Sequence, residues 1–420
     1  MAPESPRILL TDLGETPRQD ISAYQTEGGY AALAKTLEGA TPDALIQTIE
    51  AAGLRGRGGA AFPAAKKWKI AARSASPEKY VVANGGEHEP GSQKDQFLVA
   101  HYPHKVLEGM LLCGYGTGAQ TGYLYLIAQM EAQIASSRAA IAEMRERGLL
   151  GSDILGSGFN FEIHIHEAPS TYVAGEETAA IDSIEGGPGK PREKPPYPGV
   201  AGIHGHPTTV NNVETLAHVP AILRNGSEWY RRIGTASSPG TMLFTLGAQV
   251  KSPGVYEMPF GSTFRDVIYG CGGGPASGRA IRAILPALSS GFLGAEHLDT
   301  AIDHDTLRAL DSGPGCGGIS FIEEGEDILP RIQEIAQFFV DEQCGQCPPC
   351  RMETNQLLHI IKGVSEQKGP GFAEQIERIT RFSHGKGLCS LIEMAAAPVI
   401  SAVEIFYEDL AKVAGTTRPE

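Results

Sequence analysis

Three cysteines spaced by two residues, Cys344, Cys347 and Cys350, and a fourth, Cys389, standing alone further on, constrain this chain more than any other feature. Whatever fold forms must return Cys389 to the triplet. Thiolates at that spacing can wrap one corner of a compact multi-iron object, each on a different iron, and a distant fourth thiolate completes a [4Fe–4S] cluster. Two-cluster ferredoxins place the next cysteine four positions after the third, where this chain has Thr354, so a single cluster closed by Cys389 is expected. Tetrahedral zinc is the rival, but zinc sites usually pair their ligands as two separated C-x-x-C knuckles, and Cys389 has no such partner. Cys113, Cys271 and Cys316 sit among small or apolar neighbours and read as buried, inert thiols.

Seven cysteines in 420 residues are too few for a secreted disulfide framework. The length suggests about three domains. Thirty-five basic against 49 acidic residues give a net charge of −14, which argues against a nucleic-acid or anionic-membrane surface. No apolar run reaches the ~18 to 20 residues of a membrane span; the nearest, residues 106–128, is broken by Glu108, Gln120 and several glycines. Residues 1–18 mix proline with both charge signs and carry no secretory pattern. A cytoplasmic chain is expected, without direct membrane insertion, and any membrane role would have to come through a partner.

Helical and strand patterns alternate as far as about residue 238, which favours an α/β layered domain. Thr41 as N-cap and Pro42 at N1 open a helix that runs directly into Gly53-Leu-Arg-Gly-Arg-Gly-Gly-Ala60. Tyr80-Val-Val-Ala-Asn84 and Gly122-Tyr-Leu-Tyr-Leu-Ile-Ala128 read as strands, and residues 132–147 as a helix. Residues 186–205 form a proline- and glycine-rich loop long enough to suggest function. From residue 240 the pattern becomes strand, turn at Lys251-Ser-Pro-Gly254, strand, and a helix capped by Ser262, a small α+β module. Beyond Glu326 everything is helical: Ile328, Ile332, Ile335 and Phe339 share one face, as do Ile376, Ile379 and Phe382. Leu357, Leu358 and Ile361 add a stripe, and a last helix carries Ile392, Val399, Val403, Phe406 and Leu410 across an expected kink at Pro398. A four-helix bundle is the economical arrangement, with residues 415–420 fraying.

Gly56-Arg-Gly-Gly-Ala-Ala61 satisfies G-x-G-x-x-A, but it follows a helix, whereas the dinucleotide fingerprint follows a strand. What remains is either a tight turn or a place where backbone N–H groups, with Arg55, Arg57, Lys66 and Lys67, meet an anionic ligand. Asn84-Gly-Gly-Glu-His-Glu-Pro-Gly91, Tyr172-Val-Ala-Gly-Glu-Glu177, residues 190–198 and Thr208-Thr-Val-Asn-Asn-Val-Glu214 supply amides, carboxylates and glycines. Those groups suit the edges and faces of a flavin or nicotinamide.

Together with Pro191-Arg-Glu-Lys-Pro-Pro-Tyr-Pro198 and Cys344-Gly-Gln-Cys-Pro-Pro-Cys-Arg351, these motifs closely resemble the NADH-binding flavoprotein (F) subunit of bacterial respiratory complex I and its relatives in NAD-linked hydrogenases and formate dehydrogenases. The resemblance runs from about Gly28 to the last helix. It implies an α/β fold in three parts: a Rossmann-like FMN domain of unusual topology at 1–239, a ubiquitin-like β-grasp (SLBB-like) module at 240–325, and a bundle binding [4Fe–4S] at 326–420. Carried over by position, Gly56, Arg57, Gly58, Gly59, Phe62 and Lys67 would face the nucleotide. Glu89 and Glu177 would lie near the nicotinamide, and Lys194 and Tyr197 near the rest of NAD(H). Asn84, Tyr172, Gly175, Glu176, Val210, Asn211 and Asn212 would hold FMN, with Glu87 and Glu176 lowering its potential. Cys344, Cys347, Cys350 and Cys389 would hold the cluster.

The implied activity is NADH oxidation by hydride transfer to FMN through proximity alone, without an acid–base side chain, followed by single-electron transfer to the cluster. The implied partners are a thioredoxin-like [2Fe–2S] subunit and further iron–sulfur subunits. The same module could serve a hydrogenase or formate dehydrogenase, or have become a relay subunit without flavin. The family pattern is broken at Gly86, which stands for an acid, at His88, at Ala61, which stands for glycine, at Ala64-Ala65 and at Ile70.

Overall fold

The computed structural model describes residues 6–366 and 371–416. Strands β1 (Tyr80–Asn84), β2 (Thr121–Ile127), β3 (Glu162–Ala168) and β4 (Thr208–Asn212) form a parallel sheet in the order β3-β2-β1-β4. Valine and alanine run uninterrupted through β1 because both faces are covered. One face packs on the Pro103–Thr117 and Val213–Asn225 helices through Val81, Ala83 and Leu124. The other, with Val82, Tyr125 and Val210, packs beneath the Glu177–Ile184 helix through Ala180 and Ile181. Register sets Asn84 beside Asn212 on one side and Tyr125 on the other, at the carboxyl ends of the strands.

The near-apolar stretch 106–128 resolves into a buried helix followed by β2, and Gly109, Gly114 and Gly122 in it are close approaches. A Cβ on Gly109 would lie 2.1 Å from the carbonyl oxygen of Leu216, and one on Gly114 2.3 Å from the Phe161 ring. Since backbone cannot move aside as a side-chain tip can, Gly109→Ala is expected to lower stability by about 3 kcal/mol. Thermal unfolding checks this; an unchanged midpoint would mean that the two helices part freely.

Strands β5 (Thr241–Leu246), β6 (Gly254–Pro259), β7 (Ile281–Leu285), β8 (Leu293–Gly294) and β9 (Gly318–Glu323) form a second, mixed sheet in the order β6-β5-β9-β7-β8. Its helix is capped by Thr263, not Ser262: the Thr263 hydroxyl accepts from the Asp266 N–H at 3.1 Å while the Asp266 carboxylate takes the Thr263 N–H at 2.8 Å. The backbone N–H groups of Ile8, Leu9 and Leu10 donate to the Glu257 carboxylate on β6 at 2.7 to 3.0 Å, tying the N-terminal segment to this sheet.

Helices Ile328–Glu342, Pro348–Ser365, Phe372–Ser383 and Leu391–Ile405 make the bundle, with Tyr407–Ala414 appended. Its core continues into the second sheet through Ala283, Leu285 and Ile322. Three expectations need correction. Phe382 is 56% exposed, with Lys386 over its ring, because the buried stripe of its helix is Phe372, Ile376 and Thr380. The expected single last helix is two: Leu391–Ile405, with Pro398 inside it, breaks at Phe406, whose φ of −110° and ψ of 23° leave the helical region, and Leu410 lies on Tyr407–Ala414. Gly415 closes the chain in the left-handed region and the Thr416 N–H returns to the Ala411 carbonyl at 2.9 Å, so fraying does not begin at 415; residues 417–420 lie outside those described.

Candidate flavin, nucleotide and iron–sulfur sites

The Pro42–Ala52 helix stops at Gly53, which takes φ +69°. The following loop is pinned by the Gly56 N–H to the Phe62 carbonyl and the Ala64 N–H to the Leu54 carbonyl, both at 3.0 Å. Gly58 lies against Asn212, where a Cβ would come within 3.1 Å of the asparagine Cβ. The loop therefore meets the carboxyl end of β4. Ala61 sits at φ +54°, a conformation that costs an L-residue roughly 1–2 kcal/mol and glycine almost nothing.

Arg57 departs from the expected ligand-facing role. Its guanidinium is buried, donating to the carbonyls of Thr241 at 2.9 Å, Pro239 at 2.8 Å and Arg55 at 2.7 Å and lying 4.6 Å from the Phe260 ring centre. Even its N–H is taken by the Thr215 hydroxyl at 2.9 Å. Five donors in a rigid fork, once enclosed, must all be met by protein, and here they tie the glycine loop to the second sheet.

At the end of β1, the Asn84 amide donates to the Gly175 carbonyl at 2.9 Å and its oxygen accepts the Gly86 N–H at 3.1 Å. The Asn212 amide donates to the Asp95 carboxylate at 2.6 Å, and its oxygen caps the following helix through the Glu214 N–H at 3.0 Å. These amides build the turn. Asn211 alone of the three keeps a buried, unpartnered amide nitrogen.

Glu87 points into protein, accepting from the Ser92 hydroxyl and from the N–H groups of Asp95 at 3.2 Å and Gln96 at 3.0 Å. Burial, then the neighbouring Asp95, pushes its carboxyl up to about 7. Glu89 accepts from the Leu288 N–H at 3.2 Å and the Ser289 hydroxyl at 2.9 Å, with the Tyr172 hydroxyl at 3.4 Å. Burial raises its carboxyl too, against those hydrogen bonds.

Four charges gather on the rim. Lys67 pairs with Glu177 at 2.7 Å and donates to the Val210 carbonyl at 3.2 Å; Lys194 pairs with Glu176 at 2.7 Å and lies 3.6 Å from Glu177. Burial opposes ionisation of Glu177, but Lys67 and Lys194 outweigh it and hold the carboxyl below its ordinary value. Phe62, whose ring lies 6.0 Å from the Lys67 ammonium, is exposed, as are Tyr197, Ile70 and Val200, leaving apolar surface beside fixed charge. That combination suits a flat, anionic ligand.

The segment after β3 also reaches the bundle. The Tyr172 N–H donates to the Glu342 carboxylate at 2.7 Å and its ring meets Phe338 edge-on at 5.2 Å, at the end of the helix that delivers the cysteine loop. Val173, Pro191, Gly387, Leu388 and the thiols of Cys344, Cys347, Cys350 and Cys389 line one pocket. The Leu388 N–H already donates to the Cys347 sulfur at 3.3 Å, as backbone does around cluster sulfurs. Burial, then neighbouring thiols, pushes Cys350 up to about 12, and burial raises Cys389 to about 11; iron must displace those protons.

Sequence reasoning missed Lys94, which is fully buried between Asp95 at 2.7 Å and Glu214 at 2.8 Å beneath the Asn84 turn. Nothing in its local pattern separates it from a surface lysine. No helix among the described residues is long and apolar enough to cross a membrane.

Residues 49–221 match the family model for the Nuo51 FMN-binding domain, 244–286 the SLBB domain, and 331–413 the NADH-ubiquinone oxidoreductase-F iron-sulfur binding region. The chain is 38% identical over 401 residues to the second F-type subunit of NADH-quinone oxidoreductase from Rhizobium meliloti, covering 95% of each. It is 37% identical to the F-type subunit of the Escherichia coli NADH-quinone oxidoreductase, covering 93% of this chain and 88% of that one. It is 38% identical to the HndC subunit of the NADP-reducing hydrogenase of Solidesulfovibrio fructosivorans, covering 96% and 82%. Among solved structures it is similar to the NAD+-reducing [NiFe]-hydrogenase in the H2-reduced state, with a TM-score of 0.83 at 32% identity over 99% of this chain and 68% of that one.

Proposed function

Since the chain belongs to the F-type subunit family of NADH-quinone oxidoreductases, we propose that its 84–91 turn, 172–177 segment and glycine loop together form the FMN and NADH site, and that Cys344, Cys347, Cys350 and Cys389 hold the cluster that drains it. The chain is an NADH-oxidising module with FMN and a [4Fe–4S] cluster. FMN, when bound, supplies the exchange between a two-electron hydride donor and a one-electron chain.

The observation that carries the reading is the 172–177 segment, which abuts the β1 turn through Gly175 and the thiol pocket through Val173. One short stretch of backbone touches both places, so residues 172–177 would hold FMN on one side and flank the cluster on the other, where FMN would supply electrons one at a time. Lys67 and Lys194 neutralise and position the dinucleotide phosphates, while Glu177, kept ionised by them, orients the nicotinamide amide; Glu89, taken up by Leu288, Ser289 and Tyr172, braces the site from behind. Phe62 and Tyr197 cover the flat parts and shed water from the site. Residues 1–239 carry the flavin and nucleotide, 240–325 the β-grasp, and 326–420 the cluster.

The chain works with partner redox subunits. A thioredoxin-like [2Fe–2S] subunit and further iron–sulfur subunits take the electrons, on the cytoplasmic face of the inner membrane. A soluble hydrogenase is the second parent complex, favoured by the likeness to HndC and to the [NiFe]-hydrogenase, and copurifying subunits decide between the two. Anaerobic NADH added to the purified complex is expected to bleach the yellow flavin band and the broad iron–sulfur absorption together. A colourless preparation, or one that NADH leaves unchanged, overturns the reading.

A further inference from the structure

The cysteine loop is tied to the nucleotide loop by one side chain. Gln346, two residues past Cys344, donates from its amide nitrogen to the Pro191 carbonyl at 2.9 Å, and the same nitrogen lies 3.6 Å from the Cys344 sulfur. A proline carbonyl only accepts, so it fixes which end of the amide is the nitrogen, and the second N–H of that nitrogen is left for the sulfur. Sulfur is larger than oxygen, and 3.6 Å is within its hydrogen-bonding reach. The Leu388 N–H serves the Cys347 sulfur in the same way at 3.3 Å.

Pro191 opens the segment that carries Lys194. The Arg192 N–H donates to the Thr178 hydroxyl at 2.8 Å, and Lys194 reaches Glu176 at 2.7 Å, so the segment is held along its length and Gln346 supplies its first attachment. Gln346 itself is exposed, which leaves these two contacts, rather than burial, as what its side chain contributes.

We propose that Gln346 is a positioning residue for electron transfer: its amide sets Cys344 at a fixed spacing from the nucleotide loop, and its N–H on the sulfur favours the reduced cluster. This rests on the reading of Cys344 as a cluster ligand. The sulfur is a free thiol here; as an iron-bound thiolate it accepts more strongly, and donors to cluster sulfurs raise the reduction potential because reduction adds negative charge that they stabilise. Cluster reduction adds one electron, and no bond forms or breaks at Gln346.

The test compares wild-type complex with Gln346→Met and Gln346→Lys by EPR-monitored redox titration of the cluster and by equilibrium binding of NAD+, with iron content as the control. Methionine keeps the length and has no donor. The reduced cluster is expected to become about threefold less favoured, which for a one-electron couple is a fall of about 30 mV. NAD+ is expected to bind about threefold more weakly, because the Pro191 carbonyl has lost its partner. Gln346→Lys, which returns a donor, is expected to restore NAD+ affinity and to bring the potential to the wild-type value or above. A wild-type potential or a wild-type NAD+ affinity in Gln346→Met overturns the proposal, as does a lowered potential that Gln346→Lys fails to lift. If Gln346→Met loses its iron, Gln346→Lys decides alone: a potential below wild type overturns the proposal, and one at or above it with wild-type NAD+ affinity supports it. Wild-type complex without the EPR signal of a reduced cluster overturns instead the cluster reading beneath it.

Discussion

Replacing Cys389 with alanine is expected to leave a protein whose flavin NADH still reduces but which passes no electrons onward. Cys389 is the one cysteine of the four delivered from outside the 344–350 loop, and its pocket is closed by Gly387, where a Cβ would sit 2.6 Å from the Cys389 carbonyl oxygen. The loop conformation that presents the thiol therefore cannot be supplied by a substitute from the neighbouring turn. Three thiolates leave one iron without its protein ligand, and cube-type clusters take four. Altering even an outer partner of a metal ligand costs about 10- to 100-fold, and loss of the ligand itself should exceed that in electron transfer to a one-electron acceptor. The measurement is paired: iron content and the low-temperature EPR signal of the reduced cluster on one side, bleaching of the flavin band by NADH on the other. An intact EPR signal with unchanged transfer would remove Cys389 from the ligand set. Loss of flavin bleaching as well would mean that the cluster holds up the 172–177 segment, whose Val173 lines the same pocket.

The cluster was legible because a cysteine triplet spaced by two residues with a distant fourth favours iron–sulfur chemistry over zinc, and the iron-sulfur binding region matched at 331–413 agrees. Strands β1 and β2 and the Thr41 cap were legible for a similar reason: each is decided by residues adjacent in sequence. What the sequence hid is decided over long separations. Arg57 sits in a loop whose glycines and cations suit an anion, yet its partners at 239 and 241 lie far along the chain and claim it first. Asn84, Asn212 and Glu87 fell within recognisable motifs, but motif membership does not say whether a side chain faces a ligand or braces the turn beside it. These three brace the turn. Phe382 misled because one apolar residue at helical spacing joined a stripe whose true axis runs through Phe372, Ile376 and Thr380. His88 broke the family pattern, and only its neighbours in space, Gly86 and Gly175, show where its ring is seated.

Lys94→Met is expected to be the most damaging single change to stability. The lysine is fully buried, and its ammonium faces Asp95 at 2.7 Å and Glu214 at 2.8 Å, with Glu87 also close enough to act on it. Burial alone would lower its pKa, but the carboxylates more than reverse this, so the cation persists in the fold. Glu214 in turn accepts the Leu243 N–H at 2.8 Å, and Asp95 accepts the Asn212 amide, so this one charge underlies both the second sheet and the β1 turn. Removing the cation strands its carboxylates in low dielectric, a loss of about 3–5 kcal/mol, or a fall of about 10 °C in melting temperature. The pH dependence carries the sign. Glu214 and Glu87 are already raised by burial, Glu87 to about 7, and without Lys94 both rise further. A carboxyl whose folded pKa lies above its unfolded one binds more protons in the fold, so stability is greatest below the ordinary carboxylate range and declines as pH climbs through the raised value. The deficit of Lys94→Met should therefore be smaller at pH 6 than at pH 8. A melting temperature within about 2 °C of wild type at both pH values would show that the carboxylates find another cation, and that the charge beneath the β1 turn is not what holds it.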